Sequence, residues 1–443
     1  MTDKIFLPND SMMLSTDFIY GVATASFQIE GGATNRLSCI WDTFCDTPTK
    51  VADGSNGLIA CDHFNLWQQD IELIDSLGVD AYRLSISWPR VIKESGELNQ
   101  DGVDFYLNIL DALKSKNIKA FVTLYHWDLP QYLEDEGGWL NRETAYKFRD
   151  YVDLISQAFG DSVFAYATLN EPFCSAFLGY EAGIHAPGIK GKRFGKKAAH
   201  HLLLAHGLAM KVLAKNSPNS KNGIVLNFTP CYPESDLLTD KNATVFADDY
   251  FNQWYIKPLF DSKYPEIMAK LPKEHQPEIL DGDMAIISHP VDFLGVNFYT
   301  RAIYRADADE HFIQIDPPEP RTDIGWEIYP NAFTELLVSL NEKYSLPPIY
   351  ITENGAAMAD KLIDGVVNDT DRIDYYHNHL NAVNEAMKQG VQVNGYFAWS
   401  LMDNFEWAEG YLKRFGIVYV DYDTQVRTIK ASGHAYKELI TNR

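Results

Sequence analysis

Apolar residues follow two alternating patterns along this chain. Eight short runs are rich in β-branched or aromatic residues, and most of them are apolar at nearly every position: residues 18–26, 81–87, 119–127, 164–171, 223–228, 292–299, 348–355 and 395–403. Such runs predict parallel strands that are covered on both faces. Between them, three stretches carry apolar side chains at steps of three and four, which predicts amphipathic helices over residues 63–78, 101–117 and 198–215.

Eight predicted strands that alternate with helices indicate an α/β protein, a (β/α)8 TIM barrel with long loops at the C-terminal face of the strands. The 443 residues contain no Gly/Ser-rich or Pro-rich linker, so we predict a single catalytic domain over 1–443, in which 1–16 form a short N-terminal leader. The connection 229–290 is long enough to hold extra helices. The connection 300–347 is also long, and its segment DPPEPRTDIGW is predicted to be an irregular excursion. Long loops in a compact domain are often functional.

Charge and cysteine content narrow the class of protein. A formal net charge of −23 argues against nucleic-acid binding, which needs a basic surface. The start, MTDKIFLPNDSMML, does not fit a signal peptide, and no apolar run has the length of a membrane span. The five cysteines are irregularly spaced and fit neither a disulfide framework nor a paired zinc site. We therefore predict a cytoplasmic protein without a metal, with a cluster of Cys39, Cys45 and Cys61 as the alternative.

Polar and aromatic residues gather where the apolar runs end. In a parallel barrel, the C-terminal ends of the strands form the mouth at which ligands bind. The residues at these ends are Gln28, Glu30, Arg83, His126, Trp127, Asn170, Glu171, Asn297, Tyr299, Glu353, Asn354 and Trp399. The sequence thus predicts a lined pocket at one end of the barrel.

Two glutamates at these strand ends carry the candidate chemistry. Glu171 lies in TLNEP and Glu353 in YITENG, on the predicted fourth and seventh strands, which would bring them together across the mouth. A carboxylate at the end of a buried strand is costly unless it has a partner, so a structural ion pair is the alternative for either one alone. Paired carboxylates with aromatic neighbours are typical of glycoside cleavage. The chain shows no P-loop, GxGxxG motif or Ser–His–Asp arrangement.

From about Phe18 to Tyr436 the chain resembles the family-1 glycoside hydrolases, which include many β-glucosidases. The resemblance rests on a series of motifs in order: FIYGVATASFQIEGG, YRLSISWPR, YHWDLPQ, TLNEPF, AAHHLLLAHG, GVNFYTR, YITENGAA and WSLMDNFEWAEGYLKRFGIVYVD. It implies a retaining β-glucosidase without a cofactor. Such an enzyme would remove terminal non-reducing β-D-glucosyl residues, with tolerance of β-galactosides and β-fucosides, through a covalent glycosyl-enzyme intermediate.

The resemblance also implies a role for each matched residue. Glu353 would be the nucleophile and Glu171 the acid/base. Substrate binding would fall to Gln28, His126, Asn170, Tyr299, Trp399, Glu406 and Trp407. Supporting positions would be Arg83, Asn297, Trp326 and Phe415, with Arg83 holding the nucleophile ionised and Trp326 forming a wall on the aglycone side.

Two positions bear on the choice of sugar. Family members that act on 6-phosphorylated sugars carry Ser where Glu406 stands and Tyr where Phe415 stands. A carboxylate at position 406 would repel a phosphate dianion. We therefore expect an unphosphorylated β-glucoside or short oligosaccharide as substrate, and neither nucleic acid nor a membrane as partner. The oligomeric state, monomer or homo-oligomer, stays open.

Three other functions remain as alternatives. The first is a 6-phospho-β-glucosidase. The second is a carbohydrate-binding barrel that has lost catalysis, although such relatives lack one of the two glutamates and both are present here. The third is a metal-dependent or Schiff-base barrel enzyme, which would need clustered His/Asp ligands or a lysine at a strand end. Neither feature is evident in the sequence.

Overall fold

A computed structural model describes residues 3–308 and 311–443. Eight parallel strands close into a barrel in chain order: β1 Ile19–Ala23, β2 Ala81–Ser85, β3 Lys119–Thr123, β4 Ala165–Asn170, β5 Lys221–Phe228, β6 Phe293–Phe298, β7 Ile349–Asn354 and β8 Val393–Trp399. Closure comes from the pairing of β8 with β1, in which Ile19 is opposite Gly395. Each strand overlaps one of the eight predicted runs, so the predicted (β/α)8 barrel is confirmed.

A helix follows each barrel strand: α1 His63–Ser76, α2 Gln100–Ser115, α3 Glu143–Phe159, α4 Lys192–Asn216, α5 Leu238–Asp248, α6 Asn331–Lys343, α7 Thr370–Lys388 and α8 Ala431–Thr441. All but α5 form the outer layer of the barrel, whereas Ala247 of α5 packs with Ala302 and Tyr304 of the connection after β6. In α2 the buried residues Tyr106, Ile109, Leu110 and Leu113 recur at helical spacing and form one apolar face. Burial of such a face against the sheet stabilises these helices more than their intrinsic propensity does.

Shorter segments complete the secondary structure. Additional α-helices span Ser26–Ile29, Ile40–Asp46, Trp88–Val91, Gln131–Asp135, Trp254–Phe260 and Asp283–Ile287, and π-helical turns span Cys174–Leu178 and Asp249–Gln253. Single 3-10 turns occur at Met12–Leu14, Ala33–Asn35, Gly138–Leu140, Gly160–Ser162, Glu266–Lys270, Lys273–His275 and Trp407–Glu409. The connection 229–290 therefore contains the extra helices that its length predicted.

The connection after β6 contains two strands that were not predicted. It begins with antiparallel strands Ala302–Asp307 and His311–Ile315, which join Cys231–Pro233 in a three-stranded sheet. Residues 316–326, the predicted irregular excursion, form no helix and no strand beyond an isolated bridge at Arg321. A second ribbon that was not predicted pairs Val418–Val420 with Arg427–Ile429. These strands are short and mostly half-buried, so they lack the continuous apolar run that marks the barrel strands.

Close packing fills the interior of the barrel. The Phe121 ring lies 5.3 Å from that of Tyr350 and 4.8 Å from that of Phe397 between ring centroids. At Gly21, a Cβ atom would come within 2.4 Å of the Phe397 ring, so only glycine allows this approach. The filled interior leaves the mouth as the place where the strands can present polar groups.

The N-terminal segment packs against the helix layer. The Ser11 hydroxyl donates to Asn384 Oδ1 of α7 at 2.6 Å, and Met13 is fully buried. Among the helices of the described residues, none combines the length and hydropathy that a membrane span requires.

Candidate active site

Glu171 follows β4 directly and lies at the mouth of the barrel. Its φ of 45° is in the left-handed region, which residues with a side chain seldom adopt. The backbone N–H of Glu171 donates to the Val225 carbonyl of β5 at 3.0 Å, which fixes this bend. Backbone strain that the surrounding structure holds in place is a frequent property of functional positions.

Both carboxylate oxygens of Glu353 on β7 accept a short hydrogen bond. Arg83 Nη1 of β2 donates to Oε1 at 2.6 Å, and the Tyr299 hydroxyl donates to Oε2 at 2.6 Å. Glu353 and Arg83 are both buried. Charge-assisted bonds of this kind hold a carboxylate ionised and in a single orientation.

A continuous hydrogen-bond network joins the two glutamates. Asn297 Nδ2 of β6 donates to Glu171 Oε1 at 2.6 Å and to Asn170 Oδ1 at 3.1 Å. Arg83 Nη2 donates to the same Asn170 oxygen at 2.7 Å while its other nitrogen binds Glu353. The two carboxyl groups, distant in the sequence, therefore share one set of amide and guanidinium partners.

Burial raises the pKa of both glutamates. Burial, followed by the negative charge of Glu353, raises the pKa of Glu171 to about 7. Burial is thus a larger cause of the raised pKa of Glu171 than like-charge repulsion. Burial also raises the pKa of Glu353, while Arg83 and the Tyr299 hydroxyl act in the opposite direction. Because Arg83 binds Glu353 directly, we expect Glu353 to ionise first and Glu171 to keep its proton.

Two predicted substrate-binding side chains present polar atoms that the described residues leave without a partner. Gln28 Nε2 donates to Asn404 Oδ1 and to the Phe405 carbonyl, both at 2.9 Å, whereas Gln28 Oε1 has no described partner. His126 Nε2 lies 3.1 Å from Asn170 Nδ2, and His126 Nδ1 likewise has none. Burial, and then the charge of Arg83, lower the pKa of His126, so the ring is neutral and Nδ1 carries its hydrogen. A polar ligand would satisfy both atoms.

Glu406 and the predicted tryptophans border the same space. Gln28 Nε2 donates to Glu406 Oε2 at 3.4 Å, and burial followed by the charge of Glu353 raises the pKa of Glu406 to about 8. The Trp399 ring is nearly parallel to the His126 ring, with centroids 5.8 Å apart. The Trp407 ring centroid lies 6.0 Å from that of His126. Flat aromatic faces therefore stand beside a row of polar groups.

Trp326 and Phe415 both pack against Tyr299. The centroids of the Trp326 and Tyr299 rings are 5.3 Å apart, and those of Phe415 and Tyr299 are 6.0 Å apart. Trp326 is half-buried and Phe415 is buried. Phe415 therefore supports the hydroxyl that binds Glu353, and Trp326 keeps one part of its surface open.

Two strand-end residues do not join the pocket, contrary to the prediction. Glu30 is bound by Arg90 Nε at 2.9 Å and by the Tyr106 hydroxyl at 2.5 Å. Asn354 Oδ1 accepts from the Tyr396 hydroxyl at 2.6 Å, and its Nδ2 donates to the Phe298 carbonyl at 2.7 Å. A residue at a strand end lies near the mouth of the barrel. Its hydrogen-bond partners determine whether its side chain points into the pocket or away from it.

One neighbour of the site was absent from the prediction. Cys174 Sγ lies 3.0 Å from Glu171 Oε2, on the oxygen that Asn297 does not bind. The available signal was spacing, because residues three apart in a helical turn face each other. The alternative of a metal cluster at Cys39, Cys45 and Cys61 is wrong for the described residues, which contain no group of three metal-binding side chains.

A separate cleft lies away from the mouth. Its volume is about 650 Å³ and it is lined by residues of β5, the π-helical turn Asp249–Gln253 and α6. Its polar groups pair with each other: the Tyr344 hydroxyl binds Gln253 at 2.5 Å, and Lys257 binds Asp261 at 2.7 Å. None of the predicted site residues lines this cleft.

Known proteins resemble the chain over nearly its full length. Beta-glucosidase A of Thermotoga maritima is 45% identical over 434 residues, which cover 96% of this chain and 97% of that protein. The bifunctional beta-D-glucosidase/beta-D-fucosidase of Bifidobacterium breve is 41% identical, with coverages of 98% and 99%. The solved structure of the Thermotoga maritima beta-glucosidase in complex with glucoimidazole has a TM-score of 0.94 at 43% identity and covers 100% of this chain and 99% of that chain. A family model described as Glycosyl hydrolase family 1 matches residues 11–443, and the chain therefore belongs to glycosyl hydrolase family 1.

Proposed function

We propose that this family member is a retaining β-glucosidase that hydrolyses terminal non-reducing β-D-glucosyl residues. The observation that carries the proposal is the network in which Arg83, Asn170 and Asn297 connect Glu353 with Glu171. The beta-glucosidase names of the relatives support glucose as the sugar, and the bifunctional relative supports activity on β-fucosides.

In the first half-reaction, Glu353 attacks the anomeric carbon as a carboxylate. A covalent ester forms as the glycosidic bond breaks, and Glu171 transfers its proton to the departing oxygen, which leaves as an alcohol. Arg83 and Tyr299 hold the attacking carboxylate. The raised pKa of Glu171, about 7, keeps the required proton available near neutral pH.

In the second half-reaction, the ester removes the negative charge of Glu353. The pKa of Glu171 then falls, so Glu171 acts as a base and takes a proton from water while the water oxygen attacks the anomeric carbon. The ester bond breaks, Glu353 returns to the carboxylate, and the product keeps the β configuration. A retaining enzyme needs its two carboxyl groups about 5–5.5 Å apart. A close approach is supported because Asn297 donates to Glu171 and Arg83 donates to Glu353, while both also donate to the same oxygen of Asn170.

The polar atoms around the mouth suit the hydroxyls of a glucosyl ring. Gln28 Oε1 accepts from a hydroxyl, His126 Nδ1 donates to one, and the second N–H of Asn170 faces the 2-hydroxyl. Trp399 and Trp407 offer apolar faces to the sugar C–H groups.

Glu406 and Lys413 argue against a phosphorylated sugar. Glu406 offers a phosphate dianion a buried carboxyl group and no positive charge, and Lys413 Nζ is bound to Asp323 at 3.1 Å. An unphosphorylated β-glucoside or a short oligosaccharide is therefore the substrate that the site suits. Cytoplasmic residence is consistent with the five cysteines, which are all free thiols.

Azide rescue tests the proposed roles. Glu353→Ala should lose turnover of an aryl β-glucoside by at least about 10⁴-fold, and azide should restore part of it as the inverted α-glucosyl azide. Glu171→Ala is the matched variant, and from it azide should give the β-glucosyl azide. The product anomer is followed by NMR. Equal turnover of the wild type and Glu353→Ala would contradict the nucleophile role, and glucoside binding without turnover in the wild type would indicate a binding protein.

A further inference from the structure

Cys174 is placed against Glu171 by the turn that follows β4. The π-helical turn Cys174–Leu178 begins three residues after Glu171, and the Cys174 backbone N–H donates to the Glu171 carbonyl at 2.9 Å. This turn returns the thiol to the carboxyl group, where Cys174 Sγ lies 3.0 Å from Oε2. Cys174 is 7% exposed, so solvent has little access to the contact.

The two oxygens of Glu171 have different partners. Oε1 accepts from Asn297 Nδ2, and the orientation of that amide is fixed because the Thr352 hydroxyl donates to Asn297 Oδ1 at 2.6 Å. An amide N–H can only donate, so Oε1 is held as the acceptor oxygen of the carboxyl group. The transferable proton is then on Oε2, the oxygen beside Cys174.

The thiol stays a hydrogen-bond donor over the working pH range. Burial, and then the charge of Glu171, raise the pKa of the Cys174 thiol well above its ordinary value. A thiol is also a weaker donor than a hydroxyl. It therefore orients a neighbouring carboxyl group while stabilising the ionised form less than a serine or threonine would.

We propose that Cys174 is a positioning residue for the reaction, whose thiol holds the proton-bearing oxygen of Glu171 toward the departing oxygen of the substrate. This inference rests on the acid/base role proposed above for Glu171. It explains how a carboxyl group on a strained backbone keeps one orientation in both half-reactions. It also gives a reason for a weak donor at this place, since a strong one would favour loss of the proton.

Other groups that act on Glu171 come from four further elements. They are Glu353 of β7, Arg83 of β2, Tyr299 after β6 and Glu406 after β8. A substitution at position 174 leaves all four in place. A change in the titration of Glu171 in such a variant can therefore be assigned to the thiol contact.

Three variants of Cys174 and a control test the proposal. Cys174→Ala removes the donor, Cys174→Val removes it while filling the space, and Cys174→Ser replaces it with a stronger donor. Cys231→Ser is the control, because Cys231 Sγ contacts the Thr229 carbonyl, 3.4 Å away, and not the proposed site. Each protein is assayed with phenyl β-glucoside, which needs the proton, and with 2,4-dinitrophenyl β-glucoside, which does not.

The expected pattern combines substrate dependence with pH dependence. Cys174→Ala and Cys174→Val should lower kcat/KM for phenyl β-glucoside about fivefold and change that for the dinitrophenyl substrate less than about twofold. The alkaline limb of kcat/KM should move up by about 0.5 pH unit in Cys174→Ala and down by a similar amount in Cys174→Ser. Below pH 6, Cys174→Ser should hydrolyse phenyl β-glucoside with the wild-type kcat/KM. The control Cys231→Ser should match the wild type in kcat/KM and in its alkaline limb.

Equal loss on both substrates, with an unmoved alkaline limb, would show that Cys174 only packs and would overturn the proposal. If Cys174→Ala does not fold, Cys174→Ser decides, because an alkaline limb at the wild-type position also overturns it. Glu171→Ala, assayed on the same two substrates, separates this result from the proposed function. Equal losses in that variant would refute the acid role of Glu171 itself.

Discussion

At the level of single residues, Glu171 and Glu353 have chemically identical side chains, and their neighbours give them different protonation states. Glu353 receives Arg83 and the Tyr299 hydroxyl, whereas Glu171 receives the neutral donors Asn297 and Cys174. Only the first set includes a positive charge in direct contact. The difference assigns ionised and protonated states to two glutamates that lie in the same buried site.

The pH dependence of kcat/KM reports the protonation state of Glu171. Because its pKa is raised to about 7 and the acid form is required, kcat/KM for phenyl β-glucoside should decline as the pH rises through about 7. The Glu171→Gln variant should still hydrolyse the dinitrophenyl substrate. In its pH profile of kcat/KM, the decline near pH 7 should be absent. A limb that persists unchanged in this variant would assign the titration to another group, with Glu406 the next candidate.

At the residue level, the sequence placed Glu171 and Glu353 at strand ends, and in the structure one hydrogen-bond network joins them. Their catalytic roles stay a prediction. Glu30 stands at a similar position, yet Arg90 and Tyr106 bind it away from the mouth. Such pairings depend on elements that are distant in the sequence, so spacing alone could not separate a site residue from a structural one.

At the level of elements, a buried ion network ties the loops after β7 and β8 to the start of α8. Its members are Asp360, Asp369, Arg372, Asp403, Arg414 and Lys430. Lys430 contacts Asp360 and also Asp403, the latter at 2.7 Å. Asp403 begins the segment that ends at Glu406 and Trp407, so the network anchors the side of the mouth that would bind the sugar.

Removal of Lys430 should destabilise the protein and weaken substrate binding. Lys430→Met leaves two buried carboxylates short of one cation, which should cost about 3 kcal/mol in the free energy of unfolding, measured with urea. The KM for an aryl β-glucoside should rise because Asp403 loses an anchor.

The matched control is Lys4→Met, which breaks an exposed ion pair with Glu438 and should leave stability unchanged within error. Equal stability of the wild type and Lys430→Met would show that Arg372 and Arg414 suffice to compensate the carboxylates.

Elements that are buried on both faces were predictable from the sequence, and exposed ones were not. All eight barrel strands carry a continuous apolar signal, as in VFAYATL before Glu171. In Ala302–Asp307 only two positions are buried, and in His311–Ile315 none is. Short strands of this kind do not stand out from loop sequence.

At the level of the whole molecule, the net charge of −23 implies self-repulsion in the folded state. Added salt screens this repulsion, with a Debye length that falls from about 30 Å at 0.01 M to about 8 Å at 0.15 M. The Tm should therefore rise between these salt concentrations, measured by circular dichroism. An uncharged osmolyte at equal osmolarity is the control and should not reproduce the same rise. A Tm that falls steadily with salt would contradict the prediction.

The pairing of Ile19 with Gly395 has a consequence for the newly made chain. Because β1 can find its second neighbour only after β8 has been synthesised, the growing protein exposes an open sheet edge through most of translation. Open edges recruit other strands, and slow non-local pairing prolongs that risk. Pairing with β8 is thus the step that removes the open edge. A chain that was cut short before β8 would keep this edge unpaired and be prone to aggregate.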